Sequence, residues 1–288
     1  MDGGRLDQRA PWARLLAALR CPVCGAGLAA GERSVRCPAG HSFDLARQGY
    51  LSLAAGGPRG AGANADGAAM VEARSAFLGA GHYAPLTEAL ARLAGEAAPA
   101  GGLLVDAGGG TGHHLAGVLD ALPEAAGLTL DVSKYALRRA ARAHPRMGAA
   151  SADVWRGLPL RSGAADVLLN VFAPRDGAEF HRVLAPGGTL LVVTPGPDHL
   201  AELRAAGGLL SVDPAKEERL RRTLAGHFAQ HGEERLEFGM RLTAAETAAL
   251  VGMGPNAHHA AAHPAAGAPP ATVTASFRLT VHRPGTSA

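Results

Sequence analysis

Four residues near the start of the chain have the types and spacing of a metal site. Cys21-Pro-Val-Cys24 is a C-x2-C pair, and Cys37-Pro-Ala-Gly-His41 follows as C-x3-H. All three cysteines of the 288-residue chain fall in this 17-residue stretch. Two thiolates on one tight turn grip a tetrahedral ion, and the 12 residues between Cys24 and Cys37 are enough for a hairpin to return the chain. The set Cys21, Cys24, Cys37 and His41 fills four positions and leaves none for water, so the zinc ion it implies is structural. A disulfide is disfavoured by the odd count. A redox C-x-x-C would need a βαβ setting, which this stretch lacks.

The second chemical stretch is Leu103–Gly112, LLVDAGGGTG. A short apolar run ends in Asp106, glycines follow at Gly108, Gly110 and Gly112, and His113 to Leu122 reads as a helix. A strand that turns through glycines into a helix places backbone N–H groups over a ligand. The position three after Gly110 is His113, so the dinucleotide pattern G-x-G-x-x-G is not met from Gly108. The acid followed by G-x-G-x-G resembles instead the first motif of the class I S-adenosylmethionine-dependent methyltransferases. Asp131 ends a second strand 19 residues after Gly112, where a carboxylate can accept ribose hydroxyls. Asp153 ends a third segment, where acids in such methyltransferases often face the adenine amino group. Leu184-Ala-Pro-Gly-Gly leads into a buried strand, as is typical of the same class.

Elements must position these groups. Strands are expected near 103–106, 128–131, 148–152, 166–172 and 189–194, with helices between them, which predicts an α/β fold with a parallel, doubly wound (Rossmann-like) sheet. Helices are also expected over Trp12–Leu19, Met70–Leu78, Ala84–Leu93, Lys216–Leu224 and Ala244–Val251. Arg235–Leu242 and Ala271–His282 read as two further strands, the last antiparallel. Residues 15–53 are expected to form a zinc-binding module, 54–68 a flexible linker that holds the domain boundary, and 69–288 the domain that carries the methyltransferase-like motif. Residues 170–174, at the end of the fourth strand, should face the transferable methyl group, and His199 ends the fifth strand on the same rim. His258, His259 and His263 lie in a low-complexity stretch with no acid or cysteine to complete a metal set.

The net charge of +3 permits a nucleic-acid partner without demanding one. No run of 18 apolar residues suggests a membrane span, and the N-terminus lacks the apolar core of a signal peptide, so a cytoplasmic protein is expected.

CPVC…CPAGHSFDLARQGYLSL, MVEARSAFLGAGHYAPL, DAGGGTGHH, LDVSKYALRRAARAHP, NVFAPR, LAPGGTLLVVTPGPDHLAEL and GMGP occur in one order. Together they resemble the large-subunit (23S) rRNA (guanine-N1)-methyltransferases, in particular the actinomycete type that confers resistance to tylosin and mycinamicin. The resemblance implies a zinc-bearing N-terminal module that helps recognise rRNA. It also implies methyl transfer from S-adenosylmethionine to a guanine in a hairpin loop near the macrolide site of the exit tunnel. By position it assigns zinc to Cys21, Cys24, Cys37 and His41, and donor contacts to Tyr83, Gly110, Thr111, Gly112 and His199. Asp106, Gly108 and Asp131 join them from the motif and ribose arguments. The expected partner is 23S rRNA, with no membrane contact and with a homodimer left open. Phe172 is the candidate to stack a splayed guanine, and Arg33, Arg36, Arg47 and Arg59 are candidates for phosphate contacts. No general base is assigned, and Asp176, His199 and the carbonyl of Ala173 stay open. Two other readings also stay open: a methyltransferase of another RNA or a small metabolite, favoured by activity on free small substrates, and a non-catalytic zinc-dependent RNA-binding protein, favoured by failure to bind the methyl donor.

Overall fold

A computed structural model describes residue 6 and residues 10–53, 65–206, 221–254 and 272–285. Its frame is a seven-stranded sheet built from β4 (Leu103–Ala107), β5 (Ala126–Asp131), β6 (Met147–Ser151), β7 (Ala165–Val171), β8 (Leu184–Pro195), β9 (Phe228–Met240) and β10 (Val273–Pro284). The spatial order is β6-β5-β4-β7-β8-β10-β9. The strands from β6 to β8 pair in parallel, and β10 pairs antiparallel with both β8 and β9. Apolar runs such as Leu103-Leu-Val and Val167-Leu-Leu fit strands covered on both faces. Alternate residues serve the two faces: Leu104 and Leu169 join one buried cluster, Val105 and Leu168 the other.

One face carries α2 (Ala68–Gly79), α3 (Ala84–Ala97) and α4 (His113–Ala121), with α5 (Lys134–Ala140) beside β6. The helices α6 (Gly177–Val183), α7 (Ala201–Ala205) and α8 (Ala244–Gly252) follow among the described residues, and α8 packs on α2. Thr243 and Glu246 form a reciprocal capping box at the start of α8. No helix among the described residues is long and apolar enough to cross a membrane.

The opposite face is covered by the N-terminal part. Helix α1 (Trp12–Leu15) and the 3-10 turn Leu16–Ala18 place Trp12, Leu15, Leu16 and Leu19 in one core with Leu128, Ala150 and Phe180. The short strands β1 (Ala29–Ala30), β2 (Ser34–Arg36) and β3 (Ser42–Asp44) form a separate antiparallel sheet. Leu51 then runs parallel beside Ala150: its N–H donates to Ala149 O and its carbonyl accepts from Ser151 N–H, both at 2.9 Å. The zinc-bearing segment is therefore seated on the sheet, sharing its core and its β6 edge.

Several expectations shift in extent. Of the expected linker 54–68, residues 54–64 lie outside the described residues, Ala68 already opens α2, and Asp66 is held by side chains described below. Strand β9 starts at Phe228, seven residues before Arg235, because its alternating charged residues face solvent on a sheet edge and hide the pattern. Of the expected helix Lys216–Leu224, only 221–224 are described, and they are helical. His258, His259 and His263 lie outside the described residues.

Leu15 Cδ1 occupies the space a Cβ on Gly148 would need, at 2.4 Å. Leu15→Ala would empty a fully buried site and should cost ~2–5 kcal/mol. Chemical denaturation should show one transition at lower denaturant, reported alike by the N-terminal part and the sheet.

Candidate donor and zinc sites

The strand order reverses between β4 and β7, so a crevice opens beyond their carboxyl ends, where open α/β sheets bind ligands. The glycine loop fills one wall. Gly108 and Gly109 donate their N–H groups to Leu130 O at 2.8 and 3.2 Å. Gly110 N–H donates to Asp131 Oδ2 at 2.9 Å, and Ser133 N–H to Asp131 Oδ1 at 2.7 Å. Each Asp131 oxygen keeps a further lone pair for a ribose hydroxyl. Burial pushes the Asp131 carboxyl up, opposed by these two N–H donors.

Gly108 has φ +80°, and a Cβ there would lie 2.5 Å from Ala173 Cβ. Only glycine lets the loop approach the Asn170–Pro174 turn this closely. Gly112 holds φ +75°, in the left-handed region that favours glycine. Thr111 is buried between them.

Asp106 and Asn170 sit at the ends of neighbouring strands, since Asp106 pairs with Leu169. Asn170 Nδ2 donates to Ala107 O at 3.2 Å and Pro174 O at 2.9 Å. Asn170 Oδ1 and Asp106 Oδ1 are buried acceptors without a hydrogen-bond partner among the described residues. Acceptors orphaned at a switch point fit a ligand bearing N–H groups and positive charge, as the ammonium and sulfonium of S-adenosylmethionine provide. Burial, with the Asp131 charge nearby, pushes the Asp106 carboxyl up to about 7.

The other wall is aromatic. Phe277 of β10 packs edge-on against Tyr83 at 5.0 Å between centroids, and Phe172 and His199 lie 5.6 and 5.0 Å from it. Phe172 stacks on His199 at 6.3 Å with rings 25° apart. Phe172 holds φ +55°, a strained conformation for a bulky residue, while its N–H donates to Val193 O at 3.1 Å. It stays 44% exposed on the rim. Burial pushes the Tyr83 phenol up.

His199 Nδ1 accepts Ser276 N–H at 3.3 Å, so the neutral ring carries its proton on Nε2. Burial, with Arg204 adding, pulls its pKa down to about 4. His199 can therefore donate a hydrogen bond but is not placed to take a proton. Asp176 caps α6, its Oδ1 accepting Glu179 N–H at 3.1 Å. Asp153, expected near an adenine, caps the 3-10 turn Val154–Arg156 through Oδ1 and Trp155 N–H at 3.0 Å.

The zinc set comes together as spaced. Its four ligand atoms lie within 4.8 Å of one another. Cys21 Sγ is 3.6 Å from His41 Nδ1, Cys24 Sγ is 3.6 Å from Cys37 Sγ, and Cys37 Sγ is 3.3 Å from His41 Nδ1. A tetrahedron with Zn–S bonds of about 2.3 Å has edges of about 3.8 Å, which these separations approach. A closed Cys3His set holds zinc as a structural ion and supplies no Lewis acid to the reaction.

Two groups near these sites escape sequence reasoning. Arg74, on α2, reaches over the glycine loop; on the sequence it is one more helix arginine. Trp155 is 64% exposed beside Arg156, and a cavity lined by Arg20, Cys21, Pro22, Arg156 and Leu158 joins its turn to the zinc-bearing loop.

The parallel sheet with its glycine loop, the acid on the second strand and the antiparallel last strand define a class I S-adenosylmethionine-dependent methyltransferase carrying a zinc ribbon. A zinc-ribbon family described as RlmA, N-terminal, matches residues 19–54. The chain is 52% identical over 293 residues to a Micromonospora griseorubida protein provisionally named as a 23S rRNA (guanine-N(1)-)-methyltransferase, covering 94% of this chain and 98% of that one. It is 56% identical over 243 residues to the 23S rRNA (guanine(748)-N(1))-methyltransferase of Streptomyces fradiae, covering 84% and 86%. Among solved structures, the YcgJ protein of Bacillus subtilis is 13% identical with a TM-score of 0.46, covering 69% of this chain and 97% of that one. The chain belongs to the 23S rRNA (guanine-N1)-methyltransferase family.

The raised Asp106 carboxyl makes a signed prediction. The folded state binds this proton above the unfolded aspartate's value near ~4, so its contribution to stability falls as pH rises toward about 7. Asp106→Asn removes the titration. The melting temperature of the unaltered protein, relative to D106N, should drop between about pH 5 and about pH 7 and then level off.

Proposed function

We infer that this protein transfers a methyl group from S-adenosylmethionine to N1 of a guanine in a hairpin loop of 23S rRNA near the macrolide site of the exit tunnel. The modification would confer resistance to tylosin- and mycinamicin-type macrolides. The observation that carries this reading is identity above half, across most of both chains, to the Streptomyces and Micromonospora methyltransferases. The geometry supports it at two places.

At the donor site, Tyr83, Asp106, Gly108, Gly110, Thr111, Gly112, Asp131 and His199 form the proposed binding residues. The donor supplies an electrophilic methyl group when bound. The chain's own residues contribute position: Asp131 and the glycine loop fix the nucleoside and tail, and the Asn170–Pro174 turn shapes the opening through which a base enters. Phe172, exposed on that rim, offers a face on which a splayed guanine stacks. With the neutral His199 ring carrying its proton on Nε2 and Asp176 capping α6, the guanine N1 proton leaves to solvent.

At the zinc end, Arg33, Arg36 and Arg47 are exposed and face solvent as phosphate contacts require, while Arg59 lies outside the described residues. Trp155 and the arginines of the neighbouring cavity extend that surface toward the sheet. An exposed indole beside arginines is a base-stacking platform.

Reverse-transcriptase primer extension over 23S rRNA from cells with and without the protein checks this reading. An N1 methyl blocks the Watson–Crick edge, so a new stop at one loop guanine is expected. Trp155→Ala should keep the fold and lower the stop intensity ~5-fold or more at limiting enzyme, since one stack is worth ~1–3 kcal/mol. An unchanged rRNA with donor binding intact would move the activity to another substrate.

A further inference from the structure

Arg74 lies in the middle of α2, and its guanidinium reaches across the glycine loop. A Cβ on Gly110 would stand 3.1 Å from Arg74 Nη1, so the guanidinium lies close over the bare loop. Arg74 Nη2 donates to Met253 O, just beyond α8, at 2.9 Å. Arg74 Nη1 is ion-paired with the Asp66 carboxylate. Asp66 is itself tied down, since Ser133 Oγ donates to its carbonyl at 2.7 Å and Ser133 N–H donates to Asp131 at 2.7 Å. Asp66 and Asp131 are thus two acids sharing one neighbourhood, and among the influences on Asp131 the Asp66 charge raises and the Arg74 charge lowers its carboxyl.

This places a carboxylate–guanidinium contact beside Gly110 of the glycine loop. With the ribose on Asp131 and the methyl directed at the Asn170–Pro174 turn, as the donor-site reading has it, the donor's amino-acid tail would cross Gly108–Gly112 beneath Arg74. That tail ends in an α-carboxylate, and a guanidinium fork matches one carboxylate at a time. The Asp66 side chain now holds the fork.

We propose that Arg74 receives the α-carboxylate of the methyl donor and that Asp66 is the internal carboxylate it exchanges. Met253 O fixes the fork from the side away from the loop, which gives the Gly252-Met253-Gly254 segment a positioning role. Asp66 lies just before α2, and the Ser133 hydroxyl keeps hold of its carbonyl while its side chain is exchanged. The proposal rests on the donor-site reading above and adds the subsite for the tail.

Isothermal titration of S-adenosylhomocysteine and of 5′-methylthioadenosine, which lacks the amino-acid tail, tests it without any turnover. Arg74→Gln should weaken S-adenosylhomocysteine ~10-fold or more, the loss of a charge-assisted contact, and leave methylthioadenosine unchanged. Arg74→Lys keeps the charge without the fork and should recover part of the lost affinity. Asp66→Asn removes the competitor and should tighten S-adenosylhomocysteine about 2- to 5-fold. If Arg74→Gln and Arg74→Lys weaken both ligands equally, or neither, Arg74 does not hold the tail. If Asp66→Asn weakens S-adenosylhomocysteine, Asp66 is not exchanged. Unaltered protein that binds neither ligand would overturn the donor-site reading and this proposal together, whereas the variant outcomes overturn the proposal alone.

Discussion

The carboxylate of Asp131 is the constraint on which the donor site depends. One oxygen holds Gly110 N–H and the other holds Ser133 N–H, so a single side chain ties the turn after β4 to the turn after β5. The glycine loop cannot hold itself, because glycines lose the most conformational freedom on folding and bring no side chains to pack. Its shape is borrowed from Asp131 and from Leu130 O, which takes two more of its N–H groups. From that shape follow the close approach of Gly108 to Ala173, the reach of Arg74 over Gly110, and the burial of Asp106 beneath Gly109, where a Cβ would lie 2.4 Å from Asp106 Oδ2. The price is a neutral-leaning Asp106, a buried acid whose charge is disfavoured until a cation comes near.

The zinc-bearing segment is part of the same construction. Trp12, Leu15 and Leu19 are buried against the second face of the sheet, and Leu51 lengthens its edge. The closed Cys3His set stabilises a stretch whose three strands have two or three residues each, too little sheet to stand without a metal. Fixing this segment on the sheet gives the exposed Arg33, Arg36 and Arg47 and Trp155 a defined position relative to the crevice between β4 and β7. An enzyme that methylates a guanine of 23S rRNA gains from such rigidity, because a misplaced reacting group forfeits most of the benefit of binding.

What was legible in the sequence were features whose chemistry tolerates few substitutes. Three cysteines and a histidine at metal spacing admit little else, and an acid followed by alternate glycines marks a turn under a ligand. The parallel core strands read through because both faces are buried and the runs are apolar. Strand β9 read short because Glu233, Glu234, Arg235 and Glu237 on a solvent-facing edge show charge where a core strand shows Val or Leu. The docking of Leu51 on β6, the Arg74–Asp66 pair and the His199–Phe172 stack are tertiary contacts between distant segments, which no local pattern encodes. Trp155 belongs to no motif in the sequence; its exposure follows from the Asp153-capped turn that turns it outward.

Hydrogen–deuterium exchange with and without S-adenosylhomocysteine tests the central claim, that the donor lies at the reversal of strand order between β4 and β7. Protection gathered at 106–112, 131–133, 170–175 and around His199, with the zinc-bearing strands unchanged, is the predicted result. Protection centred elsewhere, or saturating binding that leaves the glycine loop exchanging as before, would contradict it.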